Sequence, residues 1–354
     1  MSFANDLRRV RSRSPRFEKV LEARPQVLVV SHNNPDPDSI VSALLLETLL
    51  GRGFGIKATI GYSGVIGRAE NKALLEYCGI QPVRLGEIEL AKFETVALVD
   101  TQPGTGNNPF DDARKVTIVF DHHRLRRDTR QVPFFDVRDH LGSTTTLLYL
   151  YCRVWRLELT PKFATAMLYA LRSETADMGR AASVVDRRLF KDLYALADLR
   201  ALSRIVNAKV GEGYFSAIHK GIERAVVYGP LVVVRMGRLP YPDAVAQIAD
   251  YFLKYEEVSM AFSIGVYGNE ILFSLRSDDP GALLGSLARR IAGSLGTAGG
   301  HESGAGGQVP VMRGARGGRK SVEEMLIARL LEELGLRGER PRNLIRRTAP
   351  REGL

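Results

Sequence analysis

Cysteine is nearly absent: the 354 residues hold two, Cys78 and Cys152. Neither stands in a CxxC or zinc-type spacing, which excludes a thiolate metal site and a disulfide-stapled scaffold. A reducing, cytoplasmic compartment is the expectation. Apolar residues make up 45% of the chain, yet no uninterrupted apolar run approaches the ~20 residues that span a bilayer. No membrane partner is expected. The N-terminal "MSFANDLRRVRSRSPRFEKVLEARPQ" is basic and lacks the apolar stretch of a secretory signal. Nucleotide-binding glycine motifs are missing too. "GRGFG" at 51–55 follows a helical pattern rather than a strand, so it is no dinucleotide fingerprint, and there is no Walker loop. No internal repeat is visible.

What is present points to anionic partners and a layered α/β fold. Lys and Arg number 50 against 40 Asp and Glu, a net charge of +10. That excess suits nucleotides, nucleic acid or other anions, though it is mild for a duplex binder. Strand patterns at 27–30, 57–60, 96–99 and 116–120 alternate with helical patterns near 38–50 and 68–78. Such alternation predicts a parallel sheet with helices on both faces. From about 160 to 225 the pattern is helical. From about 226, "AVVYGPLVVVRMG", "VSMAFSIGVYG" and "EILFSLRS" read as strands, closed by the glycine-rich "GTAGGHESGAGGQVP". The remainder, from 313, holds 11 Lys and Arg against 6 Glu and one helix pattern, "SVEEMLIARLLEEL". Its Pro- and Arg-containing end has the composition of a disordered tail.

Three of the four early strands run into acids or histidines. The first precedes "SHNNPDPDSI", with His32, Asp36 and Asp38; the third ends at Asp100; the fourth is followed by Asp121-His122-His123. A turn needs Asn, Pro, Gly or Ser, and has no need of a histidine and two aspartates. In an open parallel sheet the carboxyl ends of the strands line the ligand crevice, so these side chains share one edge. Oxygen and imidazole donors without thiolate select Mn or Mg. The carboxylates exceed what one ion requires. Two ions sharing a carboxylate can activate water and clamp the attacking and leaving oxygens of a phosphoryl group.

The motifs "HNNPDPD", "ALVDTQ" and "VFDHHR", in this order, resemble the DHH phosphoesterase superfamily, and "GGHESGAGG" resembles the loop of its DHHA1 partner domain. The likeness runs from about 25 to 315, and relatives include the RecJ exonuclease and the nanoRNase/pAp phosphatases. It implies a DHH catalytic domain at 1–185 with a basic N-terminal helix at 1–24. A helical connector at 186–225, a smaller α/β DHHA1 domain at 226–315 and a basic tail at 316–354 would come after it. It also implies two Mn ions, one on His32, Asp36 and Asp100, the other on Asp38, Asp100 and His122, with Mg as an alternative. His123 would face the substrate phosphate and Asp121 would orient the histidines. In the fourth motif, "LRSETADMGR", Glu174 takes the place of the family's aspartate, and Asp177 is expected behind it if the segment is helical.

For substrate contacts the resemblance points to Arg276, Gly299, Gly300 and His301. "GRAEN" adds Arg68 and Asn71, for which helix capping and surface charge are equal alternatives. The expected activity is hydrolysis of short single-stranded oligonucleotides or nucleotides of the nanoRNase or pAp type. A cyclic-dinucleotide phosphodiesterase and a non-catalytic nucleic-acid-binding protein remain alternatives. An inorganic pyrophosphatase is disfavoured, because that family carries a different C-terminal domain. RNA against DNA and monomer against homodimer stay open.

Overall fold

The run Val27-Leu28-Val29-Val30 has no polar face, which suits only a strand covered on both sides. In the computed structural model it is β1 (Gln26–Val30), and all four residues are buried. The structure describes residues 2–22, 24–179, 182–279, 281–300, 304–311 and 318–345. The chain divides into two units, 1–209 and 210–354.

In the first unit, β1 is joined by β2 (Lys57–Tyr62), β3 (Val83–Arg84), β4 (Val96–Val99), β5 (Ile118–Asp121) and β6 (Phe134–Val137). All pairs are parallel and the order is β3-β2-β1-β4-β5-β6. One face carries Val27, Val29, Ala97, Val99, Ile118, Phe120 and Phe134 into a large core. That core is completed by α1 (Phe3–Leu21), α2 (Pro37–Thr48), α3 (Ala69–Cys78), α4 (Thr144–Val154), α5 (Pro161–Thr175), α6 (Val184–Leu196) and α7 (Leu199–Val206). The opposite face, with Leu28, Val30, Leu98 and Val119, is covered by segments holding short 3-10 turns at 85–87, 113–115 and 128–131. The strand order reverses between β1 and β4. In open α/β sheets that is where ligands bind, at the carboxyl ends of the strands.

The N-terminal basic helix is fastened to this unit from within. Arg138, fully buried, donates to Asp6 of α1 at 2.8 Å and to both carboxylate oxygens of Asp136. Burying a guanidinium requires this kind of pairing.

The second unit is a mixed sheet of order β11-β12-β10-β9-β8-β7-β13. Its strands are β7 (Ala225–Tyr228), β8 (Leu231–Arg238), β9 (Met260–Tyr267), β10 (Glu270–Ser277), β11 (Thr297–Gly300), β12 (Gly304–Pro310) and β13 (Arg342–Asn343). Two helices, α8 (Glu212–Arg224) and α9 (Ala244–Phe252), cover one face; α10 (Leu284–Ala292) and α11 (Gly318–Glu333) cover the other.

The expected connector at 186–225 is no separate body. Leu189, Leu193, Leu202 and Ile205 belong to the first core, and Ala217 of α8 to the second. The expected tail differs also. Val322, Leu326, Ile327 and Leu330 of α11 are buried in the second core, and β13 pairs with β7. The helix pattern of this segment is therefore not part of a basic tail but a cover on the sheet.

Candidate metal centre

The loop after β1 is held by its neighbours. Asn33 N–H donates to the Asn107 carbonyl at 2.5 Å, Asn34 N–H to the Ser63 carbonyl at 3.0 Å, and Val65 N–H to Asn34 Oδ1 at 2.8 Å. Asn34 has φ 56°, a left-handed value that asparagine tolerates. Gly64, at φ +78°, has no room for a Cβ, which would fall 2.3 Å from Asn34 Oδ1. His32 Nδ1 contacts the Asn33 carbonyl at 2.9 Å, which directs Nε2 toward Asp36 Oδ1 (3.5 Å) and Asp100 Oδ2 (3.6 Å). Asp36 is also the N-cap of α2, accepting from Ser39 N–H at 2.9 Å.

Asp100 follows β4 at φ 59°. Its two oxygens diverge: Oδ2 faces His32, and Oδ1 lies 3.5 Å from His122 Nε2 while accepting from the Thr144 hydroxyl at 2.9 Å. Around the same His122 nitrogen are Asp38 Oδ2 (3.9 Å) and Glu174 Oε1 (3.8 Å). His122 Nδ1 contacts the Leu141 carbonyl at 3.3 Å, the kind of partner that fixes the tautomer of a ligating imidazole. Asp38 is fully buried and accepts from the Thr144 and Thr145 N–H groups at 2.8 and 2.9 Å, at the start of α4. Two clusters of candidate ligand atoms thus share Asp100: His32 with Asp36, and His122 with His123. Oxygen and imidazole donors at these separations fit divalent ions such as manganese or magnesium.

Asp121 is buried beneath the histidines. It accepts from His122 N–H (2.8 Å), His123 N–H (3.2 Å) and the Gln102 amide (2.6 Å), and its Oδ1 lies 2.7 Å from His123 Nδ1. Burial works to raise its pKa; the charge and hydrogen bond of His123, then His122 and Gln102, outweigh this and bring it down to about 2. Burial works to lower His123, and Asp121, with Asp100 and Glu174 beyond it, raises it to about 10. His32 is likewise raised against burial by Asp36 and Asp100. Burial and then the charges of Asp100, Glu174 and Asp36 push Asp38 well above the carboxylate range. Burial and Asp36 raise Glu174. Metal-free, the site is a set of acids that repel one another, the environment a cation would relieve.

Several expected residues lie elsewhere. α5 ends at Thr175, and Ala176, Asp177 and Met178 all have positive φ, so Asp177 is not on a helix with Glu174. Its exposed carboxylate pairs with Arg172 instead. Asn71 is buried and donates to the Pro35 carbonyl at 3.1 Å, which fastens the metal loop to α3 and leaves no surface for substrate. Arg68 stands at the N-cap position of α3.

In the second unit Arg276 pairs with Gly304 in the β10–β12 ladder. Its Nε donates to Asp250 at 2.7 Å, and its Nη1 to Ser274 Oγ at 2.9 Å. Gly299 and Gly300 lie on β11 rather than in a loop. Gly300 has φ +144°, and a Cβ on Gly285, in α10, would strike its carbonyl at 2.3 Å; Gly299 has nothing within 4 Å of a Cβ position. His301 lies outside the described residues.

Sequence reasoning misses the roles of Gln102 and Thr144. Gln102 stands two residues after Asp100 and is buried, with both ends of its amide used. Ser143 is the cap of α4, while Thr144 serves Asp100 and Asp38. The unbroken hydroxyl run in "GSTTT", all of it buried, was the available signal.

Comparison with known proteins agrees with this geometry. A family model described as "DHH family, N-terminal domain" matches residues 26–171. The chain is 31% identical over 324 residues to the uncharacterized protein MJ1633 of Methanocaldococcus jannaschii, covering 90% of this chain and 66% of that one. It is 31% identical over 152 residues to a probable manganese-dependent inorganic pyrophosphatase of Listeria monocytogenes, covering 42% of this chain and 48% of that one. The chain therefore spans about half to just under two thirds of these curated relatives. Among solved structures, an exopolyphosphatase-related protein from Bacteroides fragilis shares the fold, with TM-score 0.71, 16% identity, and 92% of this chain and 97% of that chain covered. With its Asp121-His122-His123 triplet at the carboxyl end of β5 in a parallel sheet, the first unit belongs to the DHH family.

Proposed function

We propose that this chain is a manganese-dependent phosphoesterase with a two-ion centre. The observation that carries the reading is Asp100, whose two oxygens face two separate groups of candidate ligands. His32 and Asp36 would hold one ion with it; Asp38, His122 and Glu174 would hold the other. Bound there, the ions would activate water and neutralise the phosphoryl oxygens. The chain's own part is to place and to protonate. Asp121 holds the His123 side chain, with its Nδ1 side toward the carboxylate, and that carboxylate favours the charged imidazole. A charged imidazole beside the centre would stabilise the developing negative charge on the phosphate or give a proton to the leaving oxygen.

For the substrate we infer a short oligonucleotide or a nucleotide. The likeness to pyrophosphatases covers 42% of the chain, which leaves the second unit to set specificity. That unit offers Arg276, held beside Gly304, and the glycines of β11, where backbone N–H groups can approach a phosphate closely. Purified full-length chain with manganese should hydrolyse pAp or di- to pentanucleotides faster than pyrophosphate. Metal binding without turnover on any member of a panel that also includes cyclic dinucleotides would refute the enzymatic reading. Arg276→Ala should weaken nucleotide substrates more than a nitrophenyl phosphodiester; equal losses would place Arg276 at the reacting phosphate.

A further inference from the structure

Immediately after His123 the chain reads Arg124-Leu125-Arg126-Arg127-Asp128-Thr129-Arg130, and all four arginines are exposed. We propose that this segment is a second anion-binding strip, which takes a phosphate of the substrate other than the one being cleaved. The proposal rests on the phosphoesterase reading above and adds a site to it.

A run of arginines on a surface is usually no more than solvated charge. Here the segment is built into the catalytic edge. The side chain of Gln102, buried between them, holds both: its Nε2 donates to Asp121 at 2.6 Å and to the Arg124 carbonyl at 3.1 Å. Its Oε1 accepts from Arg126 N–H at 2.9 Å and from the Thr129 hydroxyl at 2.8 Å. One amide thus sets the strip's position relative to the carboxylate that holds His123. Arg126 serves the loop itself, donating to the Gly104 carbonyl at 2.7 Å. Arg127 and Arg130 bracket a 3-10 turn, with Arg130 N–H donating to the Arg127 carbonyl at 3.2 Å. Residues three apart eclipse in such a turn, so the two arginines share a face.

Among the described residues, Arg124, Arg127 and Arg130 form no ion pair, whereas Arg114, Arg138, Arg172 and Arg276 each hold a carboxylate. The strip's own acid, Asp128, lies toward Gly104, with its Oδ2 3.5 Å from the Cβ position there. Three guanidinium groups, carried on an anchored backbone one to seven residues beyond His123, are suited to a phosphate next to the scissile one. The ligand chemistry is a second phosphate, supplied either by a nucleotide chain or by an inorganic polyphosphate.

The test compares full-length wild type, the triple variant Arg124→Gln/Arg127→Gln/Arg130→Gln, and a charge-matched control, Arg8→Gln/Arg9→Gln/Arg11→Gln, on the exposed side of α1. Calorimetric titration with tripolyphosphate and with a 5′-phosphorylated phosphorothioate dinucleotide gives Kd. Turnover of pAp and of bis-nitrophenyl phosphate gives kcat and KM. The strip variant should bind at least one probe about tenfold more weakly, the loss of one charged hydrogen bond, and lose more on pAp than on the single ester. The probe that weakens more identifies the source of the phosphate. An equal loss in the α1 control would show net charge alone at work and overturn the strip, as would unchanged affinity or no binding to wild type. If wild type hydrolyses nothing but binds a probe through these arginines, the strip stands and the phosphoesterase reading falls.

Discussion

Replacing Asp100 with asparagine removes one negative charge and little else. Asparagine accepts the left-handed backbone at φ 59°, and its carbonyl can still receive the Thr144 hydroxyl. Without the shared carboxylate the two ion positions lose their common ligand. Bound manganese should fall from two equivalents to one or fewer, and turnover by on the order of 10²–10³-fold, about 3–4 kcal/mol of lost charge stabilisation. Asp38 Oδ2 and Asp100 Oδ1 lie 3.9 and 3.5 Å from the same nitrogen of His122. They are therefore at most about 7 Å apart, and at an effective dielectric constant of about 20 their repulsion is about 2 kcal/mol when both are ionised. In the metal-free variant, relief of that repulsion is offset by the lost attraction of Asp100 for the raised His32 and His123, so its melting temperature should shift by less than about 4–8 °C for a unit of this size. The assay is at hand, because the single tryptophan, Trp155, packs against Tyr151, Phe54 and Phe17 in the first unit and reports its unfolding alone. Two bound manganese ions with near-normal turnover would refute the shared-carboxylate arrangement.

Glu174→Gln should weaken manganese binding, measured by titration, far more than Asp177→Asn, whose carboxylate pairs with Arg172; the reverse ranking would put Asp177 at the centre. Stabilisation by manganese, read as the melting shift of Trp155 fluorescence over an EDTA control, should grow from pH 6 to pH 8.5. In the metal-free chain His123 contributes stability that is fully present below its ordinary value near 6.5 and lost as pH rises toward about 10, and ionising the raised Asp38 and Glu174 costs more as pH climbs. The metal needs those same ligands deprotonated, so a shift that shrinks with rising pH would contradict the ligand set. Truncation after residue 311 should unfold the second unit, since Val322, Leu326, Ile327 and Leu330 together contribute about 6–12 kcal/mol of burial, comparable to a domain's whole stability. A truncated chain with the second unit's circular dichroism and cooperative melt intact would show α11 to be dispensable.

The parallel sheet and its metal edge are legible because they are local facts repeated three times: an apolar run ended by His or Asp. Val27 to Val30 reads as a doubly covered strand, and the loop beyond it as a set of ligands, without any long-range information. The hidden part depends on contacts between distant segments. Asn71 looks like a surface amide until its partner, the Pro35 carbonyl, comes into contact across 36 positions of sequence. Helical spacing would set Asp177 behind Glu174, but the helix stops too soon for that spacing to hold. By its charge the C-terminal segment reads as a tail, whereas its fate is decided by four apolar side chains at helical intervals within it.

The same distinction bears on what holds the ligand loops in place. The carboxylates brought to one sheet edge would push the loops apart unless they had other donors. The four aspartates do. Asp36 accepts from Ser39 N–H as a helix cap, Asp38 from two N–H groups at the start of α4, Asp100 from the Thr144 hydroxyl, and Asp121 from Gln102 and two N–H groups. Hydrogen bonds to an ionised acceptor contribute about 1.5–3 kcal/mol each, enough to offset one Coulomb repulsion of the size worked out for Asp38 and Asp100. The start of α4 carries much of this load, because the N-terminus of a helix presents unpaired N–H groups and a positive dipole to an acid. Ligand loops from β1 and β4 are thereby clamped by a helix that contributes no ligand. The centre is pre-shaped by neutral donors and completed by cations, and in "GSTTT" the donors were as visible in the sequence as the acids.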